Sequence, residues 1–268
     1  MKQSVLFVLA GIFAAALPPL AVSPAVAAET VVVDDGSVTI PPTLDAPVEF
    51  TSERGDFSAQ IEEGAGASDS EVSATLDDDG NALISAQGSL TVELSLPVGT
   101  HGEVYESDAG GDVLVLTTAE DELLGAFAVE PTFDEAGASI DTEITFDGER
   151  LTASAAQASA DRAVALRAGT VWYSRVWVTY QSGGKYVVNA IPTELGRRQS
   201  ATNVHYLHVR HLKSLLGAKA NLVTYTIEQQ FLCHEALNLF EQGTYNMESW
   251  RKGMPWWQQA NPVHRCNP

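Results

Sequence analysis

The chain has 268 residues, and its 35 acidic side chains against 15 basic ones give a formal net charge of −20. A surface this acidic repels nucleic acid and anionic lipid, so neither is expected as a partner. The length suits one large domain or two small ones.

Lys2 supplies a positive start, Val5 to Leu17 is an uninterrupted apolar or small run, and Pro18-Pro19 interrupts it. Ala25-Val26-Ala27-Ala28 then gives the small residues of a cleavage site, so 1–27 reads as a secretory signal peptide cut after Ala27 or Ala28. The apolar run falls short of the ~20 residues of a membrane-spanning helix. The expected product is a secreted, extracellular chain with no stable membrane anchor.

Residues 28–150 read as an acidic β-rich module. From Glu29 to Arg150 there are 29 acidic residues against two basic ones, Arg54 and Arg150. Leu90, Val92, Leu94, Leu96 and Val98 alternate with Thr91, Glu93, Ser95 and Pro97, the period of a half-buried strand. Val113 to Leu116 is a continuous apolar run that predicts a more buried strand, and Ile140, Thr142, Ile144 and Phe146 alternate again up to Asp147-Gly148. Turns are expected at Asp34-Asp35-Gly36, Asp79-Gly80-Asn81 and Asp108-Ala109-Gly110-Gly111, where Asp and Gly accept positive backbone angles. Glu62 to Ser70, rich in Gly, Ala and acid, reads as a loop. The run Asp77-Asp78-Asp79-Gly80-Asn81 fails the EF-hand test: with Gly80 at position 6, positions 1 and 12 fall on Thr75 and Ala86. A hairpin turn is the better reading.

Residues 151–170, dominated by Ala and Ser, read as a linker, either a flexible connector or a solvated helix. The charge changes sign there: from Leu151 to Pro268, 12 basic residues face 6 acidic ones, and all five Trp lie in this half. Residues 171–268 are expected to form a small α+β module, a β-hairpin plus two helices. Val171–Gln181 and Lys185–Ile191 flank Ser182-Gly183-Gly184 as hairpin strands, with Pro192 ending the second. Val204, Leu207, His211, Leu212, Leu215 and Leu216 recur at helical spacing, and Gly217 is placed to stop that helix. Thr226-Ile227-Glu228-Gln229 has the form of a capping box. The helix it opens puts Cys233, Ala236, Leu237 and Phe240 on one face, with Gly243 at its end. The tail from Thr244 to Pro268 shows no periodicity.

Cys233 and Cys266 are the only cysteines, and in an oxidising compartment an even pair is expected to be joined. Closing a loop of about 34 residues contributes roughly 3.5–4 kcal/mol in the chain-entropy model. A catalytic thiol at Cys233 is disfavoured, because His234 points about 100° away on a helix.

His205, His208 and His211 recur every third residue and fan over one side of their helix rather than converging. No Cys-x-x-Cys or His-Glu-x-x-His accompanies them, so no metal and no cofactor is expected. With Arg210 nearby, they read as a solvated face or a basic, pH-sensitive patch. His234-Glu235, Glu248 and Arg251 are the remaining acid/base candidates. Glu248 and Arg251, three apart, are better read as a local ion pair with Trp250 packed beside it. No Gly-x-Ser-x-Gly, phosphate-cradling glycine loop or paired-carboxylate motif is present, so no catalytic residue is assigned.

Three blocks carry a resemblance: Gln230-Phe231-Leu232-Cys233-His234, then Tyr245-Asn246-Met247-Glu248-Ser249-Trp250-Arg251, then the ending Cys266-Asn267-Pro268. Together they resemble the C-terminal domain of secreted, mostly actinobacterial proteins catalogued as domain of unknown function 2599, over roughly 171–268. The chain departs from that pattern at Met247, where the family has Leu, and at Lys252, where it has Pro. The resemblance supports the Cys233–Cys266 pairing and an extracellular location, and implies no established activity.

Two functions stay open. The first is a non-enzymatic extracellular or cell-envelope binding protein, with Trp250, Trp256 and Trp257 touching a cell-wall glycan or another protein. The second is a secreted effector or hydrolase whose acidic module masks the basic one until the linker is cut.

Overall fold

A computed structural model describes residues 29–32, 36–62, 72–107, 111–133, 139–155, 163–199, 202–237, 243–261 and 264–268. The expected signal peptide, the loop over 63–70, the turn residues Asp34-Asp35 and 108–110, and Phe240 lie outside them.

The first half alternates between strands and turns, as its period-two patterning requires. Strands β1 (Glu29–Val32), β2 (Ser37–Thr39), β3 (Val48–Thr51), β4 (Phe57–Glu62), β5 (Ser73–Leu76), β6 (Ala82–Gln87) and β7 (Ser89–Ser95) come first. Next are β8 (His101–Glu106), β9 (Asp112–Thr117), β10 (Leu123–Val129), β11 (Thr132–Phe133), β12 (Ser139–Ile140), β13 (Thr142–Phe146), β14 (Arg150–Ala155) and β15 (Ala163–Gly169). The second half mixes elements: β16 (Tyr173–Tyr180), β17 (Tyr186–Pro192), α1 (Glu194–Arg198), α2 (His205–Leu216), α3 (Tyr225–Ala236), β18 (Tyr245–Glu248) and α4 (Trp256–Gln259). The chain is therefore α+β.

Two six-stranded antiparallel sheets, β13-β14-β7-β4-β3-β2 and β5-β6-β15-β10-β9-β8, enclose one apolar core. The continuous apolar run predicted for a buried strand is β9, and its alternation shows why it needs two apolar faces. Leu114 and Leu116 enter the core between the two sheets, while Val113 and Val115 point the other way. In β10, Leu124, Phe127 and Val129 likewise face inward, and Leu123, Ala126 and Ala128 face outward. The outward residues, with Tyr105, join Trp172, Tyr173, Leu207, Leu212 and Phe231 in a second core. The acidic and basic halves thus share a core across the middle sheet.

The third sheet has the order β1-β16-β17-β18. The hairpin β16–β17 turns at Ser182–Gly184, as expected, with Gly183 and Gly184 at positive φ. Its edges come from far apart in sequence: β1 pairs with β16, and β18 with β17.

Several expectations need correction. Where it is described, the 151–170 segment is strand rather than linker: 151–155 belong to β14 and 163–169 to β15, and 156–162 lie outside the described residues. Leu151, Ala153 and Ala155, then Val164, Leu166 and Ala168, are buried at period two, so small side chains here reflect a tight intersheet space. Helix α3 begins at Tyr225 with Thr224 as the N-cap, two residues ahead of Thr226, where the expected capping box starts. It ends at Ala236, before Gly243. The aperiodic tail supplies β18 and α4, and α1 was not anticipated. Thr193 caps α1, accepting from Gly196 N at 3.0 Å while its hydroxyl donates to the Val171 carbonyl at 2.8 Å.

Candidate functional site

Three side chains from three elements meet inside the second core: Tyr173 at the start of β16, His208 in the middle of α2, and Glu235 near the end of α3. All three are fully buried. The Tyr173 hydroxyl lies 2.5 Å from His208 Nδ1 and 2.5 Å from a Glu235 carboxyl oxygen. His208 Nε2 is 2.7 Å from the Gln199 carbonyl oxygen, which can only accept, so Nε2 carries a proton.

One phenol proton cannot serve two acceptors, so only two proton arrangements satisfy these atoms. In one, Glu235 is protonated and donates to Tyr173, which donates to neutral His208. In the other, an imidazolium donates to Tyr173, which donates to a Glu235 carboxylate. Burial decides for the neutral arrangement, since a dry interior penalises both charges. It pushes Glu235 up to about 8 and His208 down to about 3, and it holds Tyr173 well above its ordinary value. The three side chains are sealed from solvent, with the second Glu235 carboxyl oxygen unbonded, and no substrate reaches them in this conformation.

His205 and His211 are also buried, which overturns the solvated-face reading of this helix. α2 lies in the seam, so the arc of histidines faces rings: His211 lies 6.0 Å from Trp172, and His205 meets Trp256 edge-on at 5.2 Å. Tyr206 and Arg210 face outward instead. Arg210 donates to the Glu120 carbonyl at 2.5 Å and faces Asp121 at 3.6 Å, across the seam.

The three sequence blocks converge around α3. Gln230 accepts from Glu248 N at 2.9 Å and donates to the Glu248 carbonyl at 3.0 Å, fixing β18 against the helix. His234 is buried and stacks on Tyr245, 5.1 Å between ring centres. Cys233 and Cys266 form a disulfide, with their Cα atoms 5.4 Å apart. Glu248 and Arg251 form the expected i,i+3 ion pair, and Lys185 lies over the Trp250 ring at 5.5 Å. These contacts give His234, Glu248 and Arg251 places in the packing of the tail.

Over residues 173–268 the chain matches the family model described as protein of unknown function (DUF2599). No curated protein and no solved structure matches the chain.

On the surface of the matched region, Trp257 is 62% exposed and stands perpendicular to the half-buried Trp256, 6.0 Å between ring centres. Trp256 is anchored by its backbone N–H, which donates to Gln229 Oε1 at 3.0 Å. The chain just before it, at Gly253, packs on the ring of Tyr225, itself 56% exposed. Two open cavities follow the seam beside α2. One, of about 370 Å³, is walled by His101, Glu103, Tyr105, Asp121 and Tyr206; the other, of about 340 Å³, by Arg54, Glu122, Leu123, Arg210, His211, Lys213 and Ser214. Among the described residues, no group of three His, Cys, Asp or Glu is placed to hold a metal ion. Tyr173 was missed by sequence reasoning, because a tyrosine opening a strand reads as ordinary surface, and Glu235 was weighed beside His234 rather than as a partner of His208.

Proposed function

We propose that the chain is a secreted, extracellular protein that binds a neutral cell-wall glycan without transforming it. The reading rests on the exposed rings of Trp257 and Tyr225, with Trp256 standing edge-on to Trp257. Exposed rings on a rigid support lose little freedom on binding and offer flat apolar faces to the C–H faces of sugar rings. The net charge of −20 works against anionic polymers, which is why a neutral glycan is the better partner. The burial of Tyr173, His208, His234 and Glu235 supports a role that is not catalytic, since acid/base chemistry needs reach to a substrate. In this reading the strands from 36 to 169 act as an acidic β module that carries the basic one. Sedimentation with purified insoluble cell wall tests the proposal. The wild-type protein should be retained and Trp257→Ala lost to the supernatant, whereas equal retention of both would remove the aromatic surface from the account.

The masked-effector reading draws on ion pairing across the seam, where Arg198 meets Glu130 at 3.0 Å and Arg210 faces Asp121. It requires the halves to part after a cut within 151–170. A cut between β14 and β15 leaves β15 in the sandwich sheet, still attached to the basic half, and the next connection, Thr170 to Trp172, is buried. Mass spectrometry of secreted material separates the two readings: an intact mature chain supports binding, and a free C-terminal fragment supports release.

A further inference from the structure

The larger cavity of the seam is built on an edge of the middle sheet. β8 is the outermost strand there, and its alternation puts His101, Glu103 and Tyr105 on the cavity side while Val104 packs against the sandwich core. β9 runs antiparallel beside it, with His101 opposite Thr117 and Glu103 opposite Val115, and Thr117 and Val115 line the same space. Asp121, in the β9–β10 turn, and Tyr206 and Leu207 of α2 complete the lining. The Tyr206 ring is 51% exposed, so it stands where a ligand enters.

The lining offers hydrogen bonds in both senses. Glu103 accepts from the Tyr105 hydroxyl at 2.7 Å, and burial holds that phenol well above its ordinary value, so it stays a donor. This uses one of the about four lone-pair sites of a carboxylate. Arg210 faces Asp121 at 3.6 Å, beyond hydrogen-bond reach, so the Asp121 oxygens keep theirs. Among the described residues, nothing hydrogen-bonds the side chains of His101, Thr117 or Tyr206, which add N–H and O–H donors that can also accept. Charge argues against ions of either sign: two carboxylates repel an anion, and Arg210 beside Asp121 repels a cation. A neutral ligand rich in hydroxyls, each both donor and acceptor, uses all of these groups and needs no uncompensated charge. The Tyr206 ring adds a flat apolar face for C–H groups.

We infer that this cavity binds one unit of a neutral saccharide, packed on the Tyr206 ring, with Glu103 and Asp121 accepting from its hydroxyls and His101 and Thr117 donating to them. The volume of about 370 Å³ sits at the lower end of the range for small-ligand sites, roughly 300–1,000 Å³, which suits a single unit or a chain end rather than a long segment. His101 to Asp121 come from one half and Tyr206 and Leu207 from the other, so the occupant also holds the halves together. The ligand class follows from this lining alone. The cavity shares no residue with the exposed rings of Trp257 and Tyr225, and each site can fail without the other.

Isothermal titration of the full mature chain tests it, with glucose, galactose and N-acetylglucosamine as neutral probes and tetramethylammonium and succinate as charged ones. At least one saccharide should bind saturably below about 10 mM, and neither charged probe should bind more tightly. Glu103→Gln and Tyr206→Ala should each weaken saccharide binding at least tenfold, while Trp257→Ala leaves it unchanged. Asp121→Asn should weaken it too; asparagine accepts the positive φ of this position, so the turn is kept and the carboxylate alone is removed. No saturable saccharide binding, undiminished binding in the Glu103 and Tyr206 variants, or tighter binding of a charged probe overturns the inference.

Discussion

Replacing Glu235 by Gln isolates the electrostatics of the buried network, because the amide keeps a donor toward the Tyr173 oxygen and cannot ionise. In the folded protein Glu235 holds its proton up to about pH 8, against an ordinary value of 4.5. Its folded value is raised, so its stabilising contribution is complete below 4.5 and is lost as pH climbs towards 8. His208 has the opposite sign: lowered from 6.5 to about 3, it contributes fully above 6.5 and loses its contribution as pH falls towards 3. Between 4.5 and 6.5 the two slopes cancel, leaving a plateau. From pH 6.5 to 8 the carboxyl acts alone, and each pH unit costs about 1.4 kcal/mol, so the wild-type protein loses about 2 kcal/mol over that interval. Glu235→Gln should lose none of it. Urea unfolding followed by tryptophan fluorescence at pH 5, 6.5 and 8 reads this directly, through Trp172 packed 4.5 Å from His208. Stability of the wild type that stays level from pH 6.5 to 8, or an equal fall in the variant, would refute the neutral arrangement.

Two further outcomes follow from packing. Cys233→Ala with Cys266→Ala should cost about 3.5–4 kcal/mol, the loop-closure term for some 34 residues, and denaturant titration of the double variant measures it. Gly196→Ala should destabilise by about 1–3 kcal/mol, although α1 is a helix and alanine favours helices. The added methyl would overlap the Trp172 carbonyl oxygen and lie 3.0 Å from its carbon, and backbone does not yield as a side chain does. A shift in thermal midpoint towards higher temperature would contradict this packing.

Local features were legible in the sequence wherever a period and a stop signal coincided. The β16–β17 hairpin follows from β-branched runs around Ser182-Gly183-Gly184, and α2 runs to Leu216 with Gly217 at positive φ as its cap. β7 follows its alternation through Leu90, Val92 and Leu94, and it stops at Ser95, two residues before Pro97. What depends on distant partners was not legible. Ala and Ser at 151–170 have no local signature that tells a strand in a narrow sandwich from a linker. The burial of His205, His208 and His211 depends on the rings of Trp172, Tyr173, Phe231 and Trp256, which other elements bring to α2, and nothing near the histidines announces that. β18 is four residues long and owes its place to Gln230, a side chain from another element. The composition break near residue 150 marked a real change in charge, but it suggested two separate modules where the protein has a shared core.

Titration of soluble, neutral cell-wall oligosaccharide into the mature chain, followed by tryptophan emission, addresses glycan recognition most directly. Among the described residues Trp257 is the most exposed of the large aromatic side chains, so stacking a sugar on it should shift its emission to shorter wavelength with a saturable dependence. In Trp257→Ala the shift should vanish and the affinity fall at least tenfold. A saturable shift of the same size in that variant, or none in the wild type at saturating oligosaccharide, would contradict the account.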